Sequence, residues 1–181
     1  MKKILTSSST IRMLLERRFK SVVFMSGAFD LFHFGHYKAL TKASGLGEIL
    51  IVQIDGDQLV KKRKGDGRPY LKQVIRASMI ASLDFVDFVF ISNIPSEDSR
   101  LLSRLKPDIL VRAILPNESD IDRSKREKIL LEKAPATKIV WLKQTPEIST
   151  TKINSALIDA NSSLLDQQKN LTMKSTTLAN K

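Results

Sequence analysis

Five short apolar runs, separated by stretches long enough to hold a helix, constrain the fold of this chain more than any other feature. Most of them are consecutive hydrophobic residues rather than alternating apolar and polar ones, which is typical of strands buried on both faces of a parallel sheet. The runs are Val22–Met25, Ile49–Ile54, Phe85–Ile91, Ile109–Val111 and Ile139–Leu142. They predict five parallel strands.

The stretches between the runs supply candidate crossover helices. These are Gly35–Ala43, Lys72–Leu83, Ser96–Leu105 and Asp120–Lys133. Strands that alternate with helices, joined by right-handed crossovers, place helices on both faces of the sheet. The predicted fold is therefore α/β, with a single doubly wound, Rossmann-like sheet of five parallel strands.

Composition narrows the function classes. The chain has 181 residues, the length of one domain, and its lack of cysteine excludes a disulfide scaffold and a thiol nucleophile. Its 30 Lys and Arg against 19 Asp and Glu give a net charge of +11, which favours an anionic partner. That partner is a nucleic acid, an acidic membrane surface or a phosphorylated small molecule. No apolar run approaches the roughly 20 residues of a membrane span, so we expect none.

The chain divides into three parts by composition. Residues 1–20 are Ser-rich and basic, which indicates a helical lead-in with a helix over Ile11–Phe19 or, as the alternative, a targeting segment. Residues 21–160 form the predicted domain and end in a short helix over Thr150–Ala160. Residues 161–181 are polar and lack periodicity, which is typical of a flexible tail. We expect a cytoplasmic protein.

The end of the first run carries the chemistry. Gly27 follows a buried strand directly, where a glycine lets a ligand approach the backbone. In an open parallel sheet, ligands bind at the carboxyl ends of the strands, at the topological switch point. His33 and His36, the two histidines of the chain, share one face at the start of a predicted helix. Two imidazoles beside a helix N-terminus suit a phosphate chain.

The two histidines and Asp30, which lies between Gly27 and His33, allow other interpretations. The histidines could be ordinary turn residues or metal ligands, but no Asp, Glu or further His follows His36 at helical spacing to complete a metal site. We therefore predict no metal bound by the protein. Asp30 either caps the turn and the helix or orients a histidine, and the preference of Asp for cap positions favours the cap.

Three blocks resemble one known family. The segment from Gly27 to His36, GAFDLFHFGH, resembles the G-x-F-D-x-x-H-x-G-H motif of the cytidylyltransferase-like nucleotidyltransferases at every fixed position. Ile148–Ile153, ISTTKI, resembles the motif that opens the last helix of that family. Lys61–Pro69, KKRKGDGRP, is predicted to be a basic, glycine-punctuated loop after the second run, and it resembles the subgroup of sugar-phosphate adenylyltransferases of the heptose-1-phosphate type. Glycerol-3-phosphate cytidylyltransferases are similar in the last-helix motif.

The resemblance implies an enzyme that transfers a nucleoside monophosphate from ATP or CTP to a phosphorylated small molecule, a sugar phosphate being favoured, with release of pyrophosphate. It implies Mg²⁺ that enters with the nucleotide. It also implies that His33, His36 and Lys64 are catalytic and neutralise phosphate charge, with Lys64 on a mobile loop. The nucleotide-binding residues it implies are Gly27, Ala28, Phe29, Gly35, Arg76, Ser149, Thr150 and Thr151.

Two positions depart from the family pattern. Arg112–Leu115 reads RAIL where the sugar-nucleotide subgroup has Lys-Gly-Gly-Asp, and Lys143 and Gln144 stand where an arginine is common. The alternative function is therefore a nucleotide-binding regulatory protein of the same fold with weak or lost turnover. Nucleic-acid binding ranks last, because no standard motif is present and aromatic residues make up only 6% of the chain.

The family resemblance also implies a possible homodimer. Phe32, Phe34 and Tyr37 are aromatic side chains that an interface between two copies would use. Burial in the core is the more common role of such residues, and we expect it here.

Overall fold

Six parallel strands form one sheet. They are β1 (Ile4–Leu5), β2 (Val22–Gly27), β3 (Ile49–Asp55), β4 (Phe88–Ser92), β5 (Ile109–Ala113) and β6 (Lys138–Leu142), in the order β1-β4-β3-β2-β5-β6. The computed structural model describes residues 4–5, 21–115, 117–143, 152–159 and 161–162. They fall in two compact units, Met1–Thr145 and Pro146–Lys181.

The five predicted strands are confirmed, and β1 extends the sheet at one edge. β1 pairs in parallel with β4, with Ile4 opposite Val89, so the helical lead-in predicted for residues 1–20 is wrong at these two positions. Two residues carry no periodicity, and therefore no pattern in the sequence indicates this strand. The helix predicted over Ile11–Phe19 lies outside the described residues.

In the described part of the first unit, five helices connect the strands. They are α1 (Phe34–Ser44), α2 (Asp57–Lys64), α3 (Gln73–Ala81), α4 (Ser99–Leu105) and α5 (Asp120–Lys133). Four of them confirm predicted helices. The fifth, α2, contains Lys61–Lys64, which we predicted to be part of a loop.

The loop prediction for Lys61–Lys64 is wrong for identifiable reasons. Leu59 and Val60 are buried and attach α2 to the core, and four consecutive cations occupy its last turn, where they complement the helix dipole. Gly65 follows with φ +88°, a left-handed conformation that ends the helix and that glycine adopts without strain. The loop is therefore confined to the residues after Lys64.

The sheet has a hydrophobic core on each face. Val23 and Met25 of β2 belong to the core that includes residues of α1 and α3, whereas Val22 and Phe24 belong to the core that includes residues of α4 and α5. This alternation confirms the predicted double-wound arrangement. Because β2 lies between β3 and β5, strand order reverses there, and the carboxyl end of β2 is the topological switch point.

In the second unit, residues 152–159 are helical, which agrees with the helix predicted over Thr150–Ala160 at those positions. Residues 163–181, the predicted tail, lie outside the described part of the chain. No helix among the described residues combines the length and the apolar character that crossing a bilayer requires.

Candidate active site

The loop that leaves β2 has an unusual backbone. Phe29 and Leu31 both have φ of 49°, in the left-handed region that large side chains rarely adopt. A Cβ atom on Gly27 would lie 3.1 Å from Cε2 of Phe29, so glycine at this position leaves room for the buried Phe29 ring. Strained backbone of this kind persists where surrounding contacts hold it in place, and it clusters at functional sites.

Asp30 provides one of those contacts. It is 1% exposed, and its carboxylate accepts hydrogen bonds from the backbone N–H groups of Tyr70 at 3.0 Å and Leu71 at 3.1 Å. It also pairs with the guanidinium of Arg68 at 2.8 Å. The prediction that Asp30 caps the following helix is wrong, because the N-cap is His33. Asp30 instead ties the loop to residues 68–71.

Arg76 provides the other contact, from α3. The residue is fully buried, and its Nε donates to the carbonyl of Leu71 at 2.8 Å. One terminal nitrogen donates to the carbonyl of Ala28, and the other pairs with Asp57 at 2.8 Å. All three guanidinium nitrogens therefore bind protein groups. Direct contact of Arg76 with phosphate stays a prediction, while the contacts present here position the loop.

His33 and Gly35 form the start of α1. Nδ1 of His33 accepts a hydrogen bond from the backbone N–H of Gly35 at 3.1 Å, so a neutral His33 ring carries its proton on Nε2, where it is available as a donor. The rings of His33 and His36 stack, with centroids 3.8 Å apart. We call residues 33–36 the histidine turn. The structure thus brings the two predicted catalytic histidines together, and both are only half-buried.

The surroundings of His36 keep its ring neutral. Phe29 and Phe32 lie against it, with centroids at 5.3 and 5.8 Å. Burial, with smaller contributions from His33 and Lys64 and against an opposing contribution from Asp30, lowers the pKa of His36 to about 3. Burial also lowers the pKa of His33. At neutral pH the two rings are hydrogen-bonding groups rather than cations, which revises their predicted role in neutralising charge.

Lys64 is the last residue of α2 and faces the same region. Its charge contributes to the low pKa of His36, so the ammonium group lies within electrostatic reach of that ring. Desolvation and the charges of Arg68 and Arg76 lower the pKa of Lys64, while Asp30 and Asp55 oppose them. Lys64 therefore supplies positive charge beside two neutral imidazoles.

A second polar cluster, which the sequence analysis did not predict, lies at the carboxyl ends of the strands on the opposite face of the sheet. Arg63 of α2 pairs with Asp55 of β3 at 2.9 Å and with Glu97 at 3.3 Å. Arg112 of β5 pairs with the other oxygen of Glu97. We call Asp55, Arg63, Glu97 and Arg112 the Glu97 clasp. The available signal was the polar residue that follows each buried apolar run, Asp55 at the end of β3 and Arg112 within β5.

Serine hydroxyls complete the cluster. Arg112 donates to Ser96 Oγ at 2.7 Å and to Ser26 Oγ at 3.2 Å, and the two serine oxygens lie 2.7 Å apart. Ser26 lies on the same face of β2 as Val22 and Phe24, by strand alternation. The cluster thus reaches the residue directly before Gly27.

Several predicted residues are not brought into this site by the described structure. Ser149, Thr150 and Thr151 lie outside the described residues, as does Gln144, and the predicted phosphate contacts of the three hydroxyl groups stay predictions. Within the described part of the chain, no group of three or more His, Asp or Glu side chains is arranged to hold a metal ion.

The aromatic residues of the turn divide into two kinds. Phe32 packs against the core, as predicted. Phe34 and Tyr37 are 59% and 40% exposed, so the predicted core burial is wrong for these two, whose rings stack on each other at the surface with centroids 6.1 Å apart. A homodimer stays a prediction.

Comparison with known proteins identifies the relatives of this chain. Bifunctional protein HldE of Campylobacter jejuni subsp. doylei is 46% identical over 112 residues, which cover 61% of this chain and 24% of that protein. HldE of Helicobacter pylori is 44% identical over 100 residues, 54% of this chain and 21% of that protein. The chain therefore spans about a quarter of the length of the curated relatives it matches.

Two solved structures share the fold. The lipopolysaccharide core biosynthesis protein from Thermoplasma volcanium aligns with a TM-score of 0.55 and 25% identity, over 69% of this chain and 98% of that one. Pantothenate synthetase from Thermus thermophilus aligns with a TM-score of 0.58 and 13% identity, over 83% of this chain and 67% of that one. The second likeness shows the fold alone.

The family assignment combines the motif, the fold and the sequence match. The histidine turn lies at the switch point of a doubly wound parallel sheet, where the family resemblance places it. The sequence pattern described as cytidylyltransferase-like matches residues 24–156, most of the chain. The chain belongs to the cytidylyltransferase-like family.

Proposed function

We propose that this protein transfers a nucleoside monophosphate from a nucleoside triphosphate to the phosphate group of a small molecule, and that pyrophosphate is released. The observation that carries the proposal is the stacked pair His33 and His36 at the N-terminus of α1, directly after the strand at the switch point. A helix N-terminus with two ring N–H donors is suited to phosphate oxygens. Membership of the cytidylyltransferase-like family supports the reaction class.

In this reaction a phosphate oxygen of the acceptor attacks the α-phosphorus. A new P–O bond forms while the bond to the β-phosphate oxygen breaks, and its electrons leave with pyrophosphate. The acceptor phosphate is already an anionic nucleophile, so no general base is required. Catalysis consists of alignment and stabilisation of the charge that grows on the α-phosphate and the leaving group.

Neutral and charged residues contribute differently to this charge stabilisation. Neutral His33 and His36 donate hydrogen bonds to phosphate oxygens, and the ammonium of Lys64 supplies the compensating positive charge. Approach of a polyanion also raises the pKa of both imidazoles, since an opposite charge nearby favours the protonated form. Ser149, Thr150 and Thr151 contribute hydroxyl groups to phosphate, as the sequence motif implies.

Mg²⁺ enters as part of the nucleotide substrate. Mg²⁺ is commonly bound through substrate phosphates and retained water rather than by a dedicated protein cage. The described residues offer donors to the phosphates of such a complex, since the hydrogen bond from Gly35 N–H to Nδ1 of His33 leaves the proton of a neutral ring on Nε2.

Two features favour ATP and a sugar phosphate as the substrates. The Lys64–Pro69 stretch resembles the sugar-phosphate adenylyltransferase subgroup, and one similar solved structure is a lipopolysaccharide core biosynthesis protein. CTP and a polyol phosphate are the alternative pair, on the strength of the Ile148–Ile153 motif. A pyrophosphate-release screen that crosses ATP and CTP with phosphorylated sugars, polyols and amino alcohols decides between them.

Variants at the histidine turn test the reaction itself. We expect His36→Asn and Lys64→Ala each to lower kcat/KM for pyrophosphate release by about 10²–10³-fold, because each removes a group that stabilises the transition state. Lys42→Ala, in the last turn of α1, and Lys62→Ala, in the last turn of α2, are matched controls that keep full activity. Full activity of His36→Asn in a folded protein would contradict the proposal.

One observation favours a second candidate function, a nucleotide-binding regulatory protein. Arg112, which stands where the subgroup has lysine, is engaged by Glu97 and two serines, and the glycines that usually follow are absent. Tight triphosphate binding by calorimetry, without pyrophosphate release from any acceptor of the panel, would favour this candidate.

A further inference from the structure

The Glu97 clasp holds two arginines at the sheet edge with one carboxylate between them. Arg63 and Arg112 reach it from different elements, and each binds a different oxygen of Glu97. Two guanidinium groups that converge on one small anion form the arrangement that recognises phosphate, because each planar fork presents parallel N–H donors. In this structure the carboxylate of Glu97 occupies that position.

Glu97 is the carboxylate of the clasp that is able to leave. Its side chain is 31% exposed, whereas that of Asp55, the other carboxylate, is 6% exposed. It belongs to the connection between β4 and α4, and Asp98 next to it forms the N-cap of α4. A rotation of the Glu97 side chain therefore opens the space between the guanidiniums without disturbing a strand or a helix.

The clasp adjoins the predicted nucleotide-binding and catalytic residues along the chain at two points. Ser26, which contacts Arg112, directly precedes Gly27, and Arg63 directly precedes Lys64. A phosphate held between the arginines would therefore lie at the same carboxyl edge of the sheet as those residues. The two sites lie toward opposite faces of the sheet and meet at its carboxyl edge.

We propose that the clasp is the binding site for the phosphate of the acceptor, and that Glu97 occupies it until an acceptor phosphate displaces the carboxylate. This inference rests on the proposed function for the identity of the acceptor. Arg63 and Arg112 then hold the phosphate oxygens, and the hydroxyls of Ser26 and Ser96 contribute hydrogen bonds. Glu97 acts as a specificity gate, because only a ligand that binds both guanidiniums better than a carboxylate gains entry.

The electrostatics of Glu97 agree with this role. Burial alone would raise its pKa, but Arg112 and Arg63 outweigh that effect and hold the pKa of Glu97 below its ordinary value. The carboxylate is therefore ionised at neutral pH and competes with phosphate as one anion against another.

Calorimetry with inorganic phosphate tests the site without requiring turnover. We expect Glu97→Gln to bind phosphate about tenfold more tightly than the wild type, because a neutral amide competes less well than a carboxylate for the two guanidinium groups. Glu127→Gln, at a carboxylate of α5 that accepts a hydrogen bond from Nε1 of Trp141, is the matched control and leaves phosphate affinity unchanged. Unchanged affinity in Glu97→Gln would overturn the proposal.

Arginine variants locate the tightened binding. In the Glu97→Gln background, Arg112→Ala abolishes the gain, and Arg63→Gln, at a guanidinium that is 41% exposed, does the same should Arg112→Ala fail to fold. Retention of tight binding in both folded double variants would place the phosphate elsewhere and refute the assignment.

Steady-state kinetics separates this inference from the proposed function. Glu97→Gln lowers KM for the acceptor and leaves KM for the nucleotide unchanged, whereas a purely structural role of Glu97 lowers thermal stability and moves neither KM. Absence of turnover with every acceptor in the wild type would refute the proposed function alone, since the phosphate calorimetry still decides whether the clasp binds phosphate.

Discussion

The histidine turn and the Glu97 clasp occupy the same edge of one sheet but are built in opposite ways. The turn comes from consecutive residues, and its aromatic neighbours keep two imidazoles neutral. The clasp joins four separate segments, and it holds charged groups in pairs. Between them lies α2, whose last two residues, Arg63 and Lys64, contribute to one region each.

The comparison shows how one strand end handles two anionic substrates. The turn is held rigidly from beneath by buried Asp30 and Arg76, which suits a site that must align a triphosphate. The clasp is closed by a half-exposed carboxylate, which suits a site that must exchange one anion for another. Each prediction below tests whether the two regions differ in this way.

The largest expected effect is a difference in unfolding free energy between substitutions of Arg76, which is buried beneath the turn, and Arg63, the exposed arginine of the clasp. Arg76→Met removes a fully buried guanidinium and leaves Asp57 and the Ala28 carbonyl without their partner, so we expect a loss of about 3–5 kcal/mol in unfolding free energy. Arg63→Met removes a guanidinium that is 41% exposed, and we expect about 1–2 kcal/mol. Urea denaturation measures both, and equal costs would break the comparison.

The second effect uses pH. The folded-state pKa of His36, about 3, lies below its ordinary value of 6.5, so between those values the unfolded chain binds the proton and the folded protein does not. Stability is therefore complete above about pH 6.5 and falls as pH decreases, by about 3 kcal/mol at pH 4. The difference between the wild type and His36→Gln in urea denaturation isolates this loss.

Glu97 responds in a different pH range, which sharpens the test. Its folded-state pKa is lowered from an ordinary 4.5, so its contribution is present above pH 4.5 and is lost as pH falls through the lowered value. Between pH 6.5 and 5, only the histidine turn should lose stability. Asp55 of the clasp also titrates above its ordinary range, because burial and the charge of Glu97 raise its pKa. The stability that His36→Gln recovers between pH 6.5 and 5 should therefore be compared in the wild type and in Glu97→Gln, and a different recovery in the two backgrounds would show that the two regions are not electrostatically separate.

The same contrast explains what the sequence could and could not predict. The five buried runs specify the sheet, because strands covered on both faces are continuously apolar, and a contiguous motif specifies the histidine turn. The clasp could not be predicted, since Asp55 and Arg112 come to the same edge only after β2 pairs with both β3 and β5. From the sequence, Arg76 and Asp30 could each belong to the site. Only their burial shows that they hold the loop that leaves β2 in place.

The basic run illustrates the limit of composition. The basic run Lys61–Pro69 predicts a loop. Its first four residues are helical instead, because the buried Leu59 and Val60 anchor α2 to the core. Helix periodicity places Arg63 and Lys64 about 100° apart around the axis, which is why consecutive residues face different regions. The charge of the run alone does not indicate which side of the helix each residue faces.

The smallest expected effect comes from two neighbouring residues of β2 that face opposite sides of the sheet. Gly27→Ala places a Cβ 3.1 Å from the Phe29 ring, and that ring lies against His36 at 5.3 Å. The ring must shift by a few tenths of an ångström, at a cost of about 1 kcal/mol, and the displacement passes to the imidazole. We therefore expect KM for the nucleotide to rise severalfold while phosphate binding at the clasp, measured by calorimetry, stays at the wild-type level.

Ser26→Ala removes a hydroxyl that contacts Ser96 and Arg112, so it should weaken phosphate binding and leave KM for the nucleotide unchanged. If both variants moved both quantities together, the sheet edge would act as a single site, and the division between the turn and the clasp would fail.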